Sequence, residues 1–242
     1  MLLAFSVYAE DGTLVAVGSA KELKGITAKK IIWKKDGAKM VRIPASDTIK
    51  PFWIDATEVT VGQFKKFVAE ARHFSPRGDL WGKINKYSPT DNHPMIYVSW
   101  SDATAYAAWA GKRLSTETEW EFVARGGLEG KRYPWGNDES LAGDYANYGG
   151  TSGRDKWKYT APVGSFKSNG YGLHDMAGNV WEYSDLDQQR LTMPFKSGRT
   201  SVIEPSPDPH PVMHKTDRRH LYKFIGRPPA HRRTGNVGAR PE

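Results

Sequence analysis

The 242 residues contain no cysteine. That absence excludes disulfides, thiolate metal sites and cysteine nucleophiles together, and it leaves the redox compartment open. No apolar run approaches the roughly 20 residues that a membrane-spanning helix needs. Nor is there an Arg/Gly/aromatic RNA-binding pattern or a helix-turn-helix to accompany the net charge of +8. That charge is unevenly placed: the chain after Asp185 holds 11 Lys/Arg against 5 Asp/Glu, six of the eight net positive charges. The body is nearly neutral, so no nucleic-acid partner is expected and the basic stretch reads as solvated.

What is present suits one domain with one sizeable core: 38% hydrophobic residues, 12% aromatics, nine Trp and 24 Gly. Abundant Trp and Gly with low mean hydropathy (−0.62) predict a loop-rich fold anchored by aromatics. Residues 1–9 (MLLAFSVYA) read either as the last part of a signal peptide whose start lies upstream or as a first strand. The first reading implies a secreted or periplasmic protein. Residues 10–39 form a β-prone extension, with Leu14-Val15-Ala16-Val17 and Ile31-Ile32-Trp33 as short strands around an exposed lysine-rich stretch.

Three capping boxes mark helix starts. Thr60 with Gln63 opens a helix whose Phe64, Phe67, Val68 and Ala71 share one apolar face. Ser99 with Asp102 opens a second, with Ala103, Tyr106, Ala107 and Ala110 inward and Gly111 as terminator. Thr116 with Glu119 opens a third, facing Trp120 and Val123 inward and stopping at Gly126-Gly127. Glu58, just before the first helix, reads as a carboxylate favoured by the helix dipole. His93 before Pro94 reads as a packed or capping histidine.

The chain is organised around residues 160–183, TAPVGSFKSNGYGLHDMAGNVWEY. Asn169-Gly170, Gly172 and Gly178-Asn179 make tight corners, and Asp175, Asn179 and Glu182 supply side-chain oxygens between them. A bent, oxygen-rich loop suits a hard cation, since Ca²⁺ takes about six to eight oxygen ligands. Spacing alone leaves a second reading open, in which Asn and Gly merely turn the chain and the carboxylates are solvated.

NGYGLHDMAGNVWEY resembles the signature loop of the formylglycine-generating enzyme, or sulfatase-modifying factor, family, whose usual form is close to NGYGLYDMAGNVWEW. Other segments agree. MVRIPA at 40–45 resembles its opening strand, PFWIDATEVTVGQFKKFV at 51–68 its first strand and helix, and HPMIYVSWSDATAYAAWAGKRLSTETEWEFVARGG at 93–127 its central helices. Ser115 stands where the family has Pro and Ala108 where it often has Cys. The family normally has a longer insertion before Phe52, which here is separated from Ala45 by only six residues. The resemblance covers residues 40–185. It implies an α+β, C-type-lectin-like fold, loop-rich, with short antiparallel strands and about three helices, and a monomer.

The resemblance also implies two structural Ca²⁺ sites. The first would use the Asn147 side chain, the Tyr148 carbonyl, the Asp155 carboxylate and the Trp157 carbonyl. The second would use Asp175, the carbonyls of Gly178 and Val180, and Glu182. Family activity is oxidation of a sulfatase cysteine to formylglycine by two cysteines that hold copper near a C-terminal RGGSW strand. No such cysteine or strand exists in these residues, so no copper and no catalytic residue are expected. Residues 186–242 are a divergent basic tail holding eight of the 15 prolines. The expectation is therefore a calcium-stabilised domain that binds a peptide, carbohydrate or protein surface, with Trp135, Tyr148, Tyr171 and Trp181 available to stack on a ligand. The alternative is a copper-dependent oxidase truncated or shifted out of frame near Leu186. His210 and His214 have i, i+4 spacing, but Pro209 and Pro211 argue against a helical metal site there.

Overall fold

The structure is a computed structural model that describes residues 14–71, 80–150 and 152–185. The expected signal peptide at 1–9, the basic tail at 186–242 and the pair His210/His214 lie outside the described residues.

Four short strands form one sheet in sequence order: β1 (Val15–Val17), β2 (Lys30–Trp33), β3 (Lys39–Ile43) and β4 (Phe52–Asp55). β2/β3 and β3/β4 are antiparallel, with Ile31 opposite Met40 and Val41 opposite Ile54. β1/β2 is parallel, an addition to the expected antiparallel pairs. The reason is the connection: residues 18–29 form a crossover, long enough to bring the second strand back in the same direction. β3 carries buried residues on both faces, with only Lys39 and Arg42 exposed along it. Met40 joins Val17, Ile31 and Trp33 on one side, while Val41 and Ile43 pack with Val123 and Leu173 on the other.

The helices are α1 (Val61–Ala71), α2 (Leu80–Tyr87), α3 (Trp100–Trp109), α4 (Glu117–Ala124) and a short α5 (Ala142–Tyr145) preceded by a 3₁₀ turn. Five replace the expected three. Gly82 and two lysines interrupt the pattern of α2, yet its Ile84 is fully buried. α5 is four residues long, too short for a periodic signal.

All three expected capping boxes are present. Thr60 N–H donates to Gln63 Oε1 at 2.9 Å and Gln63 N–H to Thr60 Oγ1 at 3.1 Å, with the same reciprocal pattern at Ser99/Asp102 and Thr116/Glu119. Phe64 and Phe67 of α1 are buried against Tyr106 of α3, Phe64 stacked on it at 5.8 Å and Phe67 edge-on at 5.7 Å. Ala71 is exposed rather than on the buried face, because α1 ends there and its inner stripe stops at Val68. Ala103 is likewise only half-buried.

Sheet and helices are joined by polar contacts at the C-terminal end of α3. The Trp33 indole N–H donates to the Ala110 carbonyl at 2.6 Å. Lys112 reaches from the following turn to Asp36 at 2.7 Å and to Asp55 at 2.7 Å. Tyr106 Oη donates to the same Asp36 at 2.8 Å. Among the described residues no helix is long and apolar enough to cross a membrane.

Candidate cation site and adjoining cleft

Residues 160–185 hold no helix or strand; side-chain hydrogen bonds shape them. Asn169 ties their first corner to α4: its Nδ2 donates to the Val123 carbonyl at 2.7 Å and its Oδ1 accepts from Tyr171 and Leu173 N–H. The second corner is closer still. Asp175 and Asn179 adopt left-handed backbone (φ 57° and 56°), as does Gly178. Two non-glycine residues in that region within five positions cost on the order of 1–2 kcal/mol each, and such outliers persist where surrounding contacts fix them.

Asn179 supplies those contacts. It is 1% exposed and all its hydrogen-bonding capacity is engaged. Oδ1 accepts from Ala161 N–H at 2.8 Å and from Asn147 Nδ2 at 3.1 Å, while Nδ2 donates to Glu58 Oε1 at 2.9 Å and to the Ala161 carbonyl at 3.3 Å. The sequence offers Asn179 as a cation ligand. The structure corrects this, because its oxygen already serves two donors and the residue is instead a hub.

Through Asn179 the two predicted ligand sets are welded together. Asn147 pairs with Gly178 in an isolated bridge, and Asn179 N–H donates to the Asn147 carbonyl at 3.1 Å. Gly178 is required here: a Cβ would stand 2.5 Å from that carbonyl oxygen.

In the first set, Asn147 Oδ1 accepts from Gly149 N–H and Asp155 Oδ2 from Tyr148 N–H at 2.8 Å, so three of the four residues share one turn. The Trp157 carbonyl lies beside Gly150 on the same turn. In the second set, Asp175 is 4% exposed, with Oδ2 accepting from Gly164 N–H at 2.8 Å and Oδ1 buried without a donor. Val180 packs on the helical core. Glu182 is an exposed residue whose Oε2 accepts from the Trp120 indole N–H at 2.6 Å.

Glu58 is the residue that sequence reasoning misplaced. It is 9% exposed, its Oε2 receives no donor, and it faces Asp175 and Glu182 rather than the dipole of α1. Its partner Asn179 is 121 positions away, so no local pattern signals the contact.

Burial, then the charges of Asp175 and Glu182, holds the Glu58 carboxyl well above the usual range. Burial also raises Asp175, against the Gly164 N–H that lowers it. Burial, with the charge of Asp175 added and the Trp120 N–H opposing, pushes Glu182 up as well, although solvent access to that residue works against the rise. Among the described residues no three or more His, Cys, Asp or Glu side chains converge as a metal cluster. A cation here would therefore lean on main-chain carbonyls besides the Glu58/Asp175 pair, and an oxygen-only set of this kind fits Ca²⁺.

A pH dependence follows from Glu58 and Asp175. Their folded values lie above their unfolded ones, so the native state holds protons that the unfolded chain gives up. In chelator, stability is expected to fall as pH rises from the ordinary carboxylate range through these raised values. Chemical denaturation across that range checks this; Asp175→Asn should flatten the slope.

A cleft of about 540 Å³ opens beside the second set. Its apolar wall includes Trp53, Met95, Trp120, Met176, Trp181 and Tyr183; Glu182 of the second set lines it, and so does Glu58. Of the four aromatics expected to meet a ligand, only Trp181, 45% exposed, lines it. Trp135 is stacked between Tyr133 at 4.9 Å and Tyr145 at 5.4 Å, Tyr171 packs on Phe122 at 5.7 Å, and Tyr148 is half-buried.

Comparison with known proteins agrees with this architecture. The sequence model of the Sulfatase-modifying factor enzyme 1-like domain matches residues 13–207. A formylglycine-generating enzyme of Thermomonospora curvata is 54% identical over 99 residues, covering 38% of this chain and 33% of that protein. The inactive Cα-formylglycine-generating enzyme 2 of Mus musculus is 32% identical over 222 residues, covering 73% and 70%. Among solved structures, PvdO from Pseudomonas aeruginosa is 28% identical, with a TM-score of 0.49 over 62% of this chain and 71% of that one. The chain spans about a third to three-fifths of the length of the formylglycine-generating enzymes of T. curvata, mouse, Streptomyces coelicolor and Bos taurus that it matches. The match over residues 13–207, the signature loop and the three capping boxes place the chain in the formylglycine-generating enzyme, or sulfatase-modifying factor, family.

Proposed function

We propose that this chain is a calcium-stabilised binding domain of its family, without oxidase activity of its own, that acts outside the cytoplasm and presents the cleft beside Trp181 to a peptide, carbohydrate or protein surface. The observation that carries the calcium part is the pair of buried carboxylate oxygens, Glu58 Oε2 and Asp175 Oδ1, that receive no donor. Buried acceptors are almost always satisfied, and a cation satisfies two at once. The want of oxidase chemistry rests on the residues themselves: without a thiol there is no cysteine pair in this sequence to hold Cu(I) and no thiolate to cycle through. The mouse relative named as inactive supports it. Bound Ca²⁺ would hold the loops of residues 147–157 and 175–182 and so shape the cleft, making metal affinity part of the folding free energy.

Thermal unfolding with Ca²⁺ and with chelator tests this. Calcium at about 100 times its dissociation constant adds about 2.7 kcal/mol, a rise in midpoint of roughly 5–10 °C for a domain of this size. A formylglycine assay on a cysteine peptide with copper, run on the same samples, should show no conversion. Oxidation above background would overturn the binding-domain reading, and equal midpoints would overturn the calcium part.

One observation favours the second reading, an oxidase read out of frame: the change to Pro-rich, basic sequence after Asp185, within a family match that runs to residue 207. Translating the other two frames of the gene should then yield RGGSW in register; its absence sinks the idea.

A further inference from the structure

We propose that Glu58 is itself a ligand of the signature-loop cation, so that the metal bolts the junction between β4 and α1 to residues 175–182. The inference rests on the calcium reading above and adds to it a residue from the opposite end of the domain. Glu58 sits between Asp55, the last residue of β4, and Val61, the first of α1. Its neighbours are fixed on both sides: Val59 accepts from Met95 N–H at 2.8 Å, and Thr60 is held in the capping box of α1. The backbone that carries the carboxyl is therefore held in place.

Each of the two carboxyls is pinned by one oxygen and leaves the other unsatisfied. Glu58 Oε1 takes the Asn179 amide N–H at 2.9 Å, and Asp175 Oδ2 takes the Gly164 N–H at 2.8 Å. Glu58 Oε2 and Asp175 Oδ1 are both buried and neither receives a donor. The two groups are near enough for the charge of Asp175 to act on Glu58. Ionised carboxylates only accept, so two of them facing each other repel unless something positive lies between. Among the described residues no Lys or Arg forms an ion pair with either one. Asn179 cannot take that place, since both its N–H groups already point at Glu58 Oε1 and the Ala161 carbonyl. A hard divalent cation fits the gap in charge and in ligand type, and a second carboxylate raises the affinity of an oxygen site.

The position has a structural consequence. Glu58 and Glu182 both line the cleft. A cation shared between Glu58 and the 175–182 loop would fix the two walls of that cleft relative to each other. Ligand binding there would then depend on the metal.

The test is calcium titration by calorimetry of the full chain and of Glu58→Gln, Glu58→Asp and Asp175→Asn, with unfolding of each followed in chelator. Glu58→Gln should weaken Ca²⁺ binding by at least about tenfold, the range seen for losing a group that supports a metal site. In chelator the same variant should unfold at a higher midpoint than the parent, because the new amide can donate to Asp175 Oδ1. A purely structural glutamate predicts the reverse: unchanged affinity and a lower midpoint with and without metal. Glu58→Asp keeps the charge but withdraws the oxygens by one methylene, and should also bind Ca²⁺ more weakly; unchanged affinity overturns the proposal even if Glu58→Gln does not fold. Binding lost in Asp175→Asn but kept in both Glu58 variants would leave the calcium reading standing and remove Glu58 from it. No binding by the parent chain would overturn both.

Discussion

Lys112→Met is expected to cost about 3–5 kcal/mol, the range for breaking a buried ion pair by removing one partner. Lys112 is 11% exposed at its side chain and bonds two carboxylates, Asp36 at 0% and Asp55 at 21%. Methionine fills much the same volume, so packing changes little. What remains is two acceptor-only groups with their shared cation gone. Asp36 would keep the Tyr106 hydroxyl and the Ala38 N–H at 3.0 Å, but no positive charge. Asp55 is already raised by burial, and the lysine is what opposes that rise. In the variant its carboxyl would climb further, so the loss should shrink as pH falls through that raised range and Asp55 takes up a proton. Denaturant unfolding of Lys112→Met at neutral and mildly acidic pH reads both effects. The triple variant Lys112→Met/Asp36→Asn/Asp55→Asn should recover much of the loss, because replacing a whole buried charge network is far milder than orphaning half of it. A single-variant cost below about 1 kcal/mol would show that the network behaves like a surface salt bridge.

That network explains a limit of sequence reading. Gly-Lys-Arg-Leu after α3 resembles the family's own pattern, but Asp36 is 76 positions before Lys112 and nothing local marks them as partners. The features legible in the sequence were those whose partners lie within one helical turn. Thr60/Gln63, Ser99/Asp102 and Thr116/Glu119 are capping boxes whose two halves are three residues apart. The strands of residues 15–17, 30–33, 39–43 and 52–55 are β-branched or aromatic runs that stand out against their polar flanks. α2 was hidden because its buried face rests mainly on Ile84, with Gly82 and Lys83 beside it.

The candidate site divides in the same way. Asp175, Gly178, Val180 and Glu182 were legible because one loop carries them all, together with the long match to the family signature. In the sequence Glu58 reads as a helix-dipole carboxylate, which fits its place just before α1 and fails only against residues more than 110 positions later. Asn179 reads as a ligand in the sequence because Asn beside Gly suits both a turn and a cation. Only the four hydrogen bonds of its amide show that it is a cross-brace.

Asn179→Ala should therefore be the most damaging single change in the loop, with an expected cost of about 4 kcal/mol from several buried groups losing partners at about 1–3 kcal/mol each. Ala161 N–H would lose its acceptor, Asn147 Nδ2 one of two, and Glu58 its amide donor. Glu58 would then be a buried carboxyl with both oxygens unsatisfied, since Oε2 has no donor to begin with. Part of the effect is backbone: position 179 has φ 56°, where alanine is strained by roughly 1–2 kcal/mol. Asn179→Gly separates the two causes, because glycine removes the side chain but tolerates that backbone. If hydrogen bonding dominates, glycine and alanine variants should differ by no more than that strain, and both should unfold well below the parent. A glycine variant as stable as the parent would instead mean that Asn179 is kept for its turn alone. Calcium gives a further reading of the same variants. Asn179 aims Glu58 Oε1 and braces the Asn147 turn against Gly178, so its loss should weaken Ca²⁺ binding even though it is no ligand itself. Asn179→Gly with intact Ca²⁺ affinity and lowered stability would confine its role to the fold.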